Sequence, residues 1–218
     1  MAHELIRFAD RKAAFAPQYF GSVDYYALLS SFATVYVDID MPADKRFKSA
    51  HRCTIVDTRD EIMLTVPIVP PHGRHSWNET PVSTHGKWWH VHRTALESAY
   101  GRTPFFEYYI DRFTEIFDAD YGDDAVSVGT LDRRCDTIVR DIIGIDNEVI
   151  YGCPAEAVDN DFRRCKSISL QPVGYYQLRA DRLGFRHNMS IVDLIFNVGP
   201  EAPLYLHKIA GKFTEEQI

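Results

Sequence analysis

The strongest constraint on this chain is a strand–turn–helix–strand pattern near its start. An apolar run at residues 12–16 leads into Pro17-Gln18-Tyr19-Phe20-Gly21. A helical pattern over residues 22–32 follows, and a second apolar run fills residues 34–39. That order predicts a βαβ unit. In such a unit the turn after the first strand faces the crevice at the carboxyl ends of the strands. The loop 17–21 is therefore the first candidate for a functional segment. In the helix, Val23, Tyr26, Ala27, Leu29 and Ser30 recur near i, i+3, i+4 spacing. Ser22 or Asp24 can cap its start, because their oxygens accept orphan amide hydrogens. In the second strand Val35, Val37 and Ile39 alternate with Tyr36, Asp38 and Asp40, giving one apolar face.

Downstream, residues 41–49 carry Pro42 and Asp44-Lys45-Arg46-Phe47-Lys48 and read as an exposed loop, of the kind that covers sites. Strand patterns at 51–57 and 62–69, joined by Thr58-Arg59-Asp60-Glu61, predict a hairpin. Residues 70–86, rich in Pro, Gly, His and Asn, are long for a structureless connection, which points to a functional or ordering role. Residues 87–117 read as helical with a break at 101–104. Trp88, Val91, His92, Ala95, Leu96, Ala99 and Tyr100 form an apolar stripe in the first half. Thr103 is placed to cap the second half, with Pro104 at its first position. A third helix over 127–143 stops at Gly144. A short strand is expected at 148–151, weaker ones at 167–170 and 175–178, and 153–166 reads as irregular. The last clear element is a short helix over 190–196, capped by Ser190 with Asp193 in a capping-box position and stopped by Gly199-Pro200. With no repeat and no domain boundary, the expected fold is α/β. It is one domain over 1–218, with a mixed, mainly parallel central sheet, helices on its faces and long inserted loops.

Charge narrows the function. A net charge of −7 disfavours a nucleic-acid partner, which would need a net basic face. The basic run Arg163-Arg164-Cys165-Lys166 reads as a solvated turn. Residues 1–11 lack the apolar stretch of a secretory leader, and no apolar run reaches the ~18 residues of a membrane span. A cytoplasmic location without a membrane span is expected. Cys53, Cys135, Cys153 and Cys165 are widely spaced with no C-x-x-C, so free thiols rather than a metal site are expected.

His92 sits on the apolar stripe four residues after Trp88. It is a core histidine or a general base, since imidazole titrates near neutrality. Gln18 and Tyr19 follow a strand directly and can reach a ligand at the strand ends; alternatively Pro17 and Gly21 shape the turn and Tyr19 packs. The loop is neither a G-x-G-x-x-G nor a Walker-type phosphate loop. Arg52, on a predicted strand, suits a carboxylate or phosphate through its two-pronged fork, or forms a structural ion pair. Asn188, Ser190, Asp193 and Asn197 make a polar site at a helix start, or serve as caps and a helix end; Asn188 is the least explained of them. No serine has a nucleophile-elbow context.

Taken in order, Pro17-Gln18-Tyr19-Phe20, Leu64-Thr65-Val66-Pro67-Ile68, Trp88-x-x-x-His92 with Tyr100, Pro104 and Phe106, and Asn188-x-Ser190-Ile191-x-Asp193-Leu194-x-Phe196-Asn197-x-Gly199-Pro200 resemble the WbqC-like proteins. The resemblance runs from about residue 12 to residue 203. After Phe20 the chain departs from the family pattern, with Gly21-Ser22-Val23-Asp24 in place of a further proline and glycine. The resemblance implies a transferase in bacterial surface-polysaccharide (O-antigen) biosynthesis, with glycyl or acyl transfer to a sugar as one form. The expected catalytic residues are His92 and Arg52. The expected substrate contacts are Pro17, Gln18, Tyr19, Phe20, Trp88, Asn188, Asp193 and Asn197. The substrate would be a small molecule, a nucleotide sugar or an acyl donor; no cofactor is named and no metal is expected. The alternative is a non-catalytic scaffold of a biosynthetic complex, meeting its partner through surface aromatics such as Trp77 and Trp89. A closed polar pocket beside Gln18 favours the first reading, and a flat aromatic patch the second.

Overall fold

The computed structural model describes residues 10–118, 121 and 126–213. Its first strand, β1 (Lys12–Phe15), pairs in parallel with β2 (Thr34–Val37) from Lys12↔Thr34 to Phe15↔Val37. Helix α1 (Val23–Leu29) makes the crossover. Ser22 is its cap, its hydroxyl accepting the Tyr25 amide at 3.2 Å. Asp24 is buried and accepts the Leu170 amide at 2.7 Å instead. Every residue of α1 is buried, so its amphipathic stripe is only the innermost part of what packs.

Strand β5 (Glu148–Tyr151) joins β2, and β6 (Asn160–Asp161) joins the free edge of β1, both in parallel. The order is β5-β2-β1-β6, an all-parallel sheet. The α/β class, with a mainly parallel central sheet and a hairpin, is as expected; the hairpin of β3 (Arg52–Val56) and β4 (Glu61–Thr65) forms a small antiparallel sheet of its own. Phe15 shows what fills the core: its ring meets Tyr25, Phe32 and Phe162 at centroid distances of 5.5, 6.1 and 4.9 Å. Burying a ring of that size contributes about 1.5–3 kcal/mol.

Several elements differ from expectation for identifiable reasons. Strand β6 lies inside the stretch that reads as irregular, and two residues carry no periodicity. The strands expected at 167–170 and 175–178 do not form. Their backbone donors go to side chains, Leu170 to Asp24 and Leu178 to Asn197, so no ladder is needed to satisfy them. After α2 (Trp88–Tyr100), the Thr103 hydroxyl turns back to the Tyr100 carbonyl at 2.7 Å. The next helical turn, α3 (Phe106–Tyr109), therefore begins past Pro104 and without a side-chain cap. A 3₁₀ turn at Ile110–Phe113 and α4 (Thr114–Phe117) continue it. Helix α5 (Val128–Ile143) is capped by Ser127 and ends at Gly144, whose φ of 74° is the left-handed value glycine accepts without strain. The long loop 70–86 has an ordering role: it bridges to neighbours at Ile68↔Val82, Pro42↔Ser76 and Pro81↔Ser127.

After a single helical turn, α6 (Ala180–Leu183), the chain enters α7 (Ile191–Val198) and then α8 (Ala202–Ala210). Helix α8 was not foreseen; Pro200 and Pro203 open new helical turns here rather than ending the last one. Helices α7 and α8 pack on α1. Ser190 precedes α7, but its side chain makes no cap. Gly199 is fixed by packing as well as by its φ of 51°, since a Cβ there would lie 2.5 Å from the Phe105 ring.

Candidate functional site

The connection from β1 runs by way of α1 to β2 on one side, while β6 closes the other side. The β1–β6 boundary is therefore a topological switch point, where ligands of open parallel sheets bind beyond the carboxyl ends of the strands. A cavity of about 240 Å³ lies there. Residues that follow β1 line it (Gln18, Phe20, Gly21, Ser22), and so do residues that follow β6 (Lys166, Ser167, Ile168). The hairpin side supplies Lys48, Ser49, Arg52, Cys53, Thr54 and Met63, and the segment before α7 supplies Asn188 and Ser190. Thr54 and Met63 are cross-strand partners in the hairpin. Arg52, two residues before Thr54, shares their face, because successive side chains alternate across a strand.

Backbone and side-chain bonds pin this wall. The Ile191 amide donates to Gly21 and the Val23 amide to Met189, at 2.8 and 2.9 Å. The Ser190 hydroxyl donates to the Phe20 carbonyl at 2.8 Å, and its amide to Thr54 at 2.8 Å. Ser190 thus ties the opening loop to the hairpin, a role its position before a helix concealed. Phe20 has a φ of 42°, a conformation costly for a bulky residue and kept only where the surroundings enforce it. Asn188, at φ 57°, is a residue type that tolerates the left-handed region. Its carbonyl oxygen accepts the Asp24 amide at 3.1 Å and its amide donates to Ile168 at 2.7 Å. Gly21 is required by close approach, since a Cβ would meet the Tyr25 ring at 2.7 Å.

The charge of the cavity is one-sided. Lys48, Arg52 and Lys166 line it, and among the described residues no Asp or Glu does. Among the described residues none of these cations has an ion pair, and the Arg52 Nε is buried without a hydrogen-bond partner. The nearby Asp44 is engaged by Arg46 through bonds of 2.8 and 2.5 Å. Cys53 is no ready nucleophile: burial pushes its thiol up to about 12, so it stays protonated at neutral pH. The basic run that reads as a solvated turn is divided. Arg163 pairs with Asp161 and Asp38, while Lys166 reaches the cavity.

Of the residues singled out in the sequence, Gln18, Phe20, Arg52 and Asn188 meet in this cavity, and Pro17, Tyr19, Trp88, His92, Asp193 and Asn197 do not line it. Pro17 is buried in the turn. Tyr19 is buried, and its hydroxyl bonds His92 Nδ1 at 2.9 Å. A backbone hydrogen bond to Thr65 also acts on the His92 imidazole. Burial lowers its pKa to about 4, the Thr65 bond opposing. Trp88 packs on Tyr19 and His92 at centroid distances of 6.1 and 5.2 Å.

Asp193 is the centre of a second polar cluster. Its carboxylate accepts Tyr100 Oη at 2.8 Å, Tyr175 Oη at 2.6 Å and Gln177 Nε2 at 2.8 Å. Asn197 joins it through the Asp193 carbonyl at 2.7 Å and holds the Leu178 amide at 2.9 Å. Burial raises the Asp193 pKa, and these hydrogen bonds oppose the rise. Trp77 and Trp89 are buried, 2% and 8% exposed, so neither offers the surface a scaffold would need. Trp77 lies against His51, and Trp89 against Trp88 and Tyr121. Sequence reasoning missed Lys48 and Lys166; both sit in charged runs that look like ordinary solvated surface. Among the described residues no group of three or more His, Cys, Asp or Glu side chains is placed to hold a metal ion. Nor is any helix there long and apolar enough to cross a membrane.

Fold and cavity together define an α/β protein with a cation-lined cavity at the switch point of a parallel sheet. The model of the WbqC-like protein family matches residues 16–171, and the chain belongs to that family. The match takes in the opening loop, the hairpin, Trp88 and His92; it ends before the Asn188–Pro200 segment that carried part of the resemblance. No curated protein and no solved structure matches the chain.

Proposed function

We propose that this protein is a transferase of bacterial surface-polysaccharide biosynthesis. It holds an acyl donor or the nucleotide sugar that accepts from it in the cavity beside the opening loop, and passes glycyl or another acyl group from that donor to the sugar, the donor's activating group leaving as the new bond forms. One observation carries the reading: Gln18, Arg52 and Asn188, far apart in sequence, converge on a polar cavity at the switch point, where α/β enzymes hold their substrates. Arg52 holds the donor's anionic group. Gln18 has a free amide face, since its Oε1 makes only a long 3.4 Å contact to the Ser22 amide. Asn188 shapes the wall, its side chain being spent on Asp24 and Ile168. His92 acts through Tyr19 as a positioning residue for the loop. Family membership supports the polysaccharide setting through the resemblance alone. The buried Trp77 and Trp89 count against the scaffold alternative.

The test is a thermal-shift and turnover screen with nucleotide sugars, acyl donors and amino acids, since a ligand of the native state raises its melting temperature. A donor should stabilise the protein, and Arg52→Gln and Gln18→Ala should each remove that effect while leaving the unliganded melting point near its original value. If no donor binds, or donor turnover is indifferent to both substitutions, the reading is wrong.

A further inference from the structure

We infer that the cavity is a phosphate subsite, built for a diphosphate rather than a carboxylate, with Lys48 and Lys166 as its unassigned ligands beside Arg52. The inference rests on the proposed use of the same cavity and names the chemistry of the donor end held there.

Three cations line one small cavity in a chain of net charge −7, and among the described residues no carboxylate lines it with them. A monoanion neutralises only part of that positive charge, and a diphosphate more of it. The Arg52 Nε, buried and unpartnered, is a donor left without an acceptor, a costly state that an anionic oxygen at the cavity wall removes. A guanidinium fork with two ammonium groups matches several phosphoryl oxygens, because Arg gives paired directional bonds and Lys gives point charges. The hydroxyl residues Ser22, Ser49, Ser167 and Thr54 line the same cavity and suit phosphoryl oxygens equally. Size agrees. The volume of about 240 Å³ falls below the roughly 300–1,000 Å³ that encloses a whole drug-sized ligand, so the cavity takes a charged group and leaves the rest of the donor outside.

The cations come from two stretches of the chain, the entry to the hairpin and the segment after β6. Lys48 opens a 3₁₀ turn, Lys48–His51, that leads into β3, and Arg52 begins β3 itself. Lys166 follows β6. The Lys166 charge also reaches Asp44, whose carboxylate stays low because Arg46 bonds it first. The other acid near this wall, Asp24, is held by the Leu170 amide and by His187 at 3.2 Å. Neither lines the cavity among the described residues.

Calorimetry with inorganic pyrophosphate tests this on the full chain. The proteins are wild type, Lys48→Met, Lys166→Met, the double variant and Lys45→Met as an exposed control outside the cavity. Lys48 and Lys166 are themselves exposed, so the variants should fold and melt as wild type does. Pyrophosphate should bind wild type and the control alike. Each single cavity variant should weaken it ~10-fold, the loss expected for one charge-assisted contact. Acetate should bind no better to wild type than to the double variant. The inference is overturned if wild type does not bind pyrophosphate, if the double variant binds it as wild type does, or if acetate binds as tightly. Pyrophosphate binding through both lysines without any donor turnover would sustain the subsite and sink the transferase reading. Turnover that is indifferent to both lysines and to added pyrophosphate would do the reverse.

Discussion

Two polar clusters flank Ser190, and they differ in what they lack. Around Asp193, one buried carboxylate meets donors from Tyr100, Tyr175 and Gln177, and both of its oxygens are satisfied. Around Arg52, three cations face a cavity, and among the described residues no anion lines it and a buried guanidinium nitrogen has no partner. A closed network holds α7 to α2 and to the irregular segment 175–177; the open one is the proposed ligand site. Satisfied polar burial stabilises a fold, whereas unsatisfied charge at a strand-end cavity is the mark of a ligand site. Residue type alone would rank the two clusters the other way, since a buried Asp beside tyrosines looks more catalytic than exposed lysines.

The contrast can be broken most forcefully at Asp193. Asp193→Ala strands buried hydroxyl and amide donors and should cost about 3–5 kcal/mol in denaturant unfolding. A loss under about 1 kcal/mol would show that the network does not hold the fold. Tyr175→Phe removes one donor and should cost about 1–2 kcal/mol.

His92 gives the next effect, and its sign follows from its lowered pKa of about 4. Unfolded, the imidazole takes a proton near pH 6.5, while in the fold it resists until about 4. Stability from His92 is therefore complete above pH 6.5 and is lost as pH falls toward 4, by up to about 3 kcal/mol. Urea titrations at a series of pH values should show that slope in wild type and a flatter one in His92→Gln. Asp132 should slope the other way. Burial, then the charge of Asp136, raises its pKa well above the ordinary value, so stability is lost as pH rises from that ordinary value. Asp132→Asn should gain on wild type with increasing pH, and equal slopes for the two would contradict this.

Asn188→Ala should cost about 2 kcal/mol, from strain at positive φ and the loss of its two bonds. Asn188→Gly, which relieves the strain but not the lost bonds, should cost less. Smallest of all, Lys48→Met and Lys166→Met should change unfolding by no more than ~0.5 kcal/mol, as for exposed positions without partners. A larger stability loss at the lysines than at Asp193 would invert the comparison.

Much of the frame was legible in the sequence. The opening βαβ unit, the hairpin, α2 and α5 each carry a periodicity long enough to read, and the loop 17–21 does reach the cavity. What escaped was short or distant. Strand β6 has two residues, yet without it there is no switch point and Lys166 has no place. Ser190 and Asp193 had a sufficient local explanation as a capping box. Their partners lie elsewhere in the chain: Phe20 is 170 residues from Ser190, and Tyr100 is 93 from Asp193. His92 illustrates the converse. Its place on an apolar stripe already contained the core reading, and the Tyr19 and Thr65 bonds supply the detail. Trp77 sits in a loop that looks exposed because it is rich in Pro, Gly and His, but bridges to its neighbours bury it.

The central claim is that the open cluster, not the closed one, receives the ligand. A crystal structure of the protein with saturating pyrophosphate tests it most directly. Phosphoryl oxygens should lie within hydrogen-bond distance of the Arg52 guanidinium, including Nε, with the Lys48 and Lys166 ammonium groups turned onto them and the Asp193 cluster unchanged. Pyrophosphate bound elsewhere, or an Arg52 that instead pairs with a carboxylate of the protein, would contradict it.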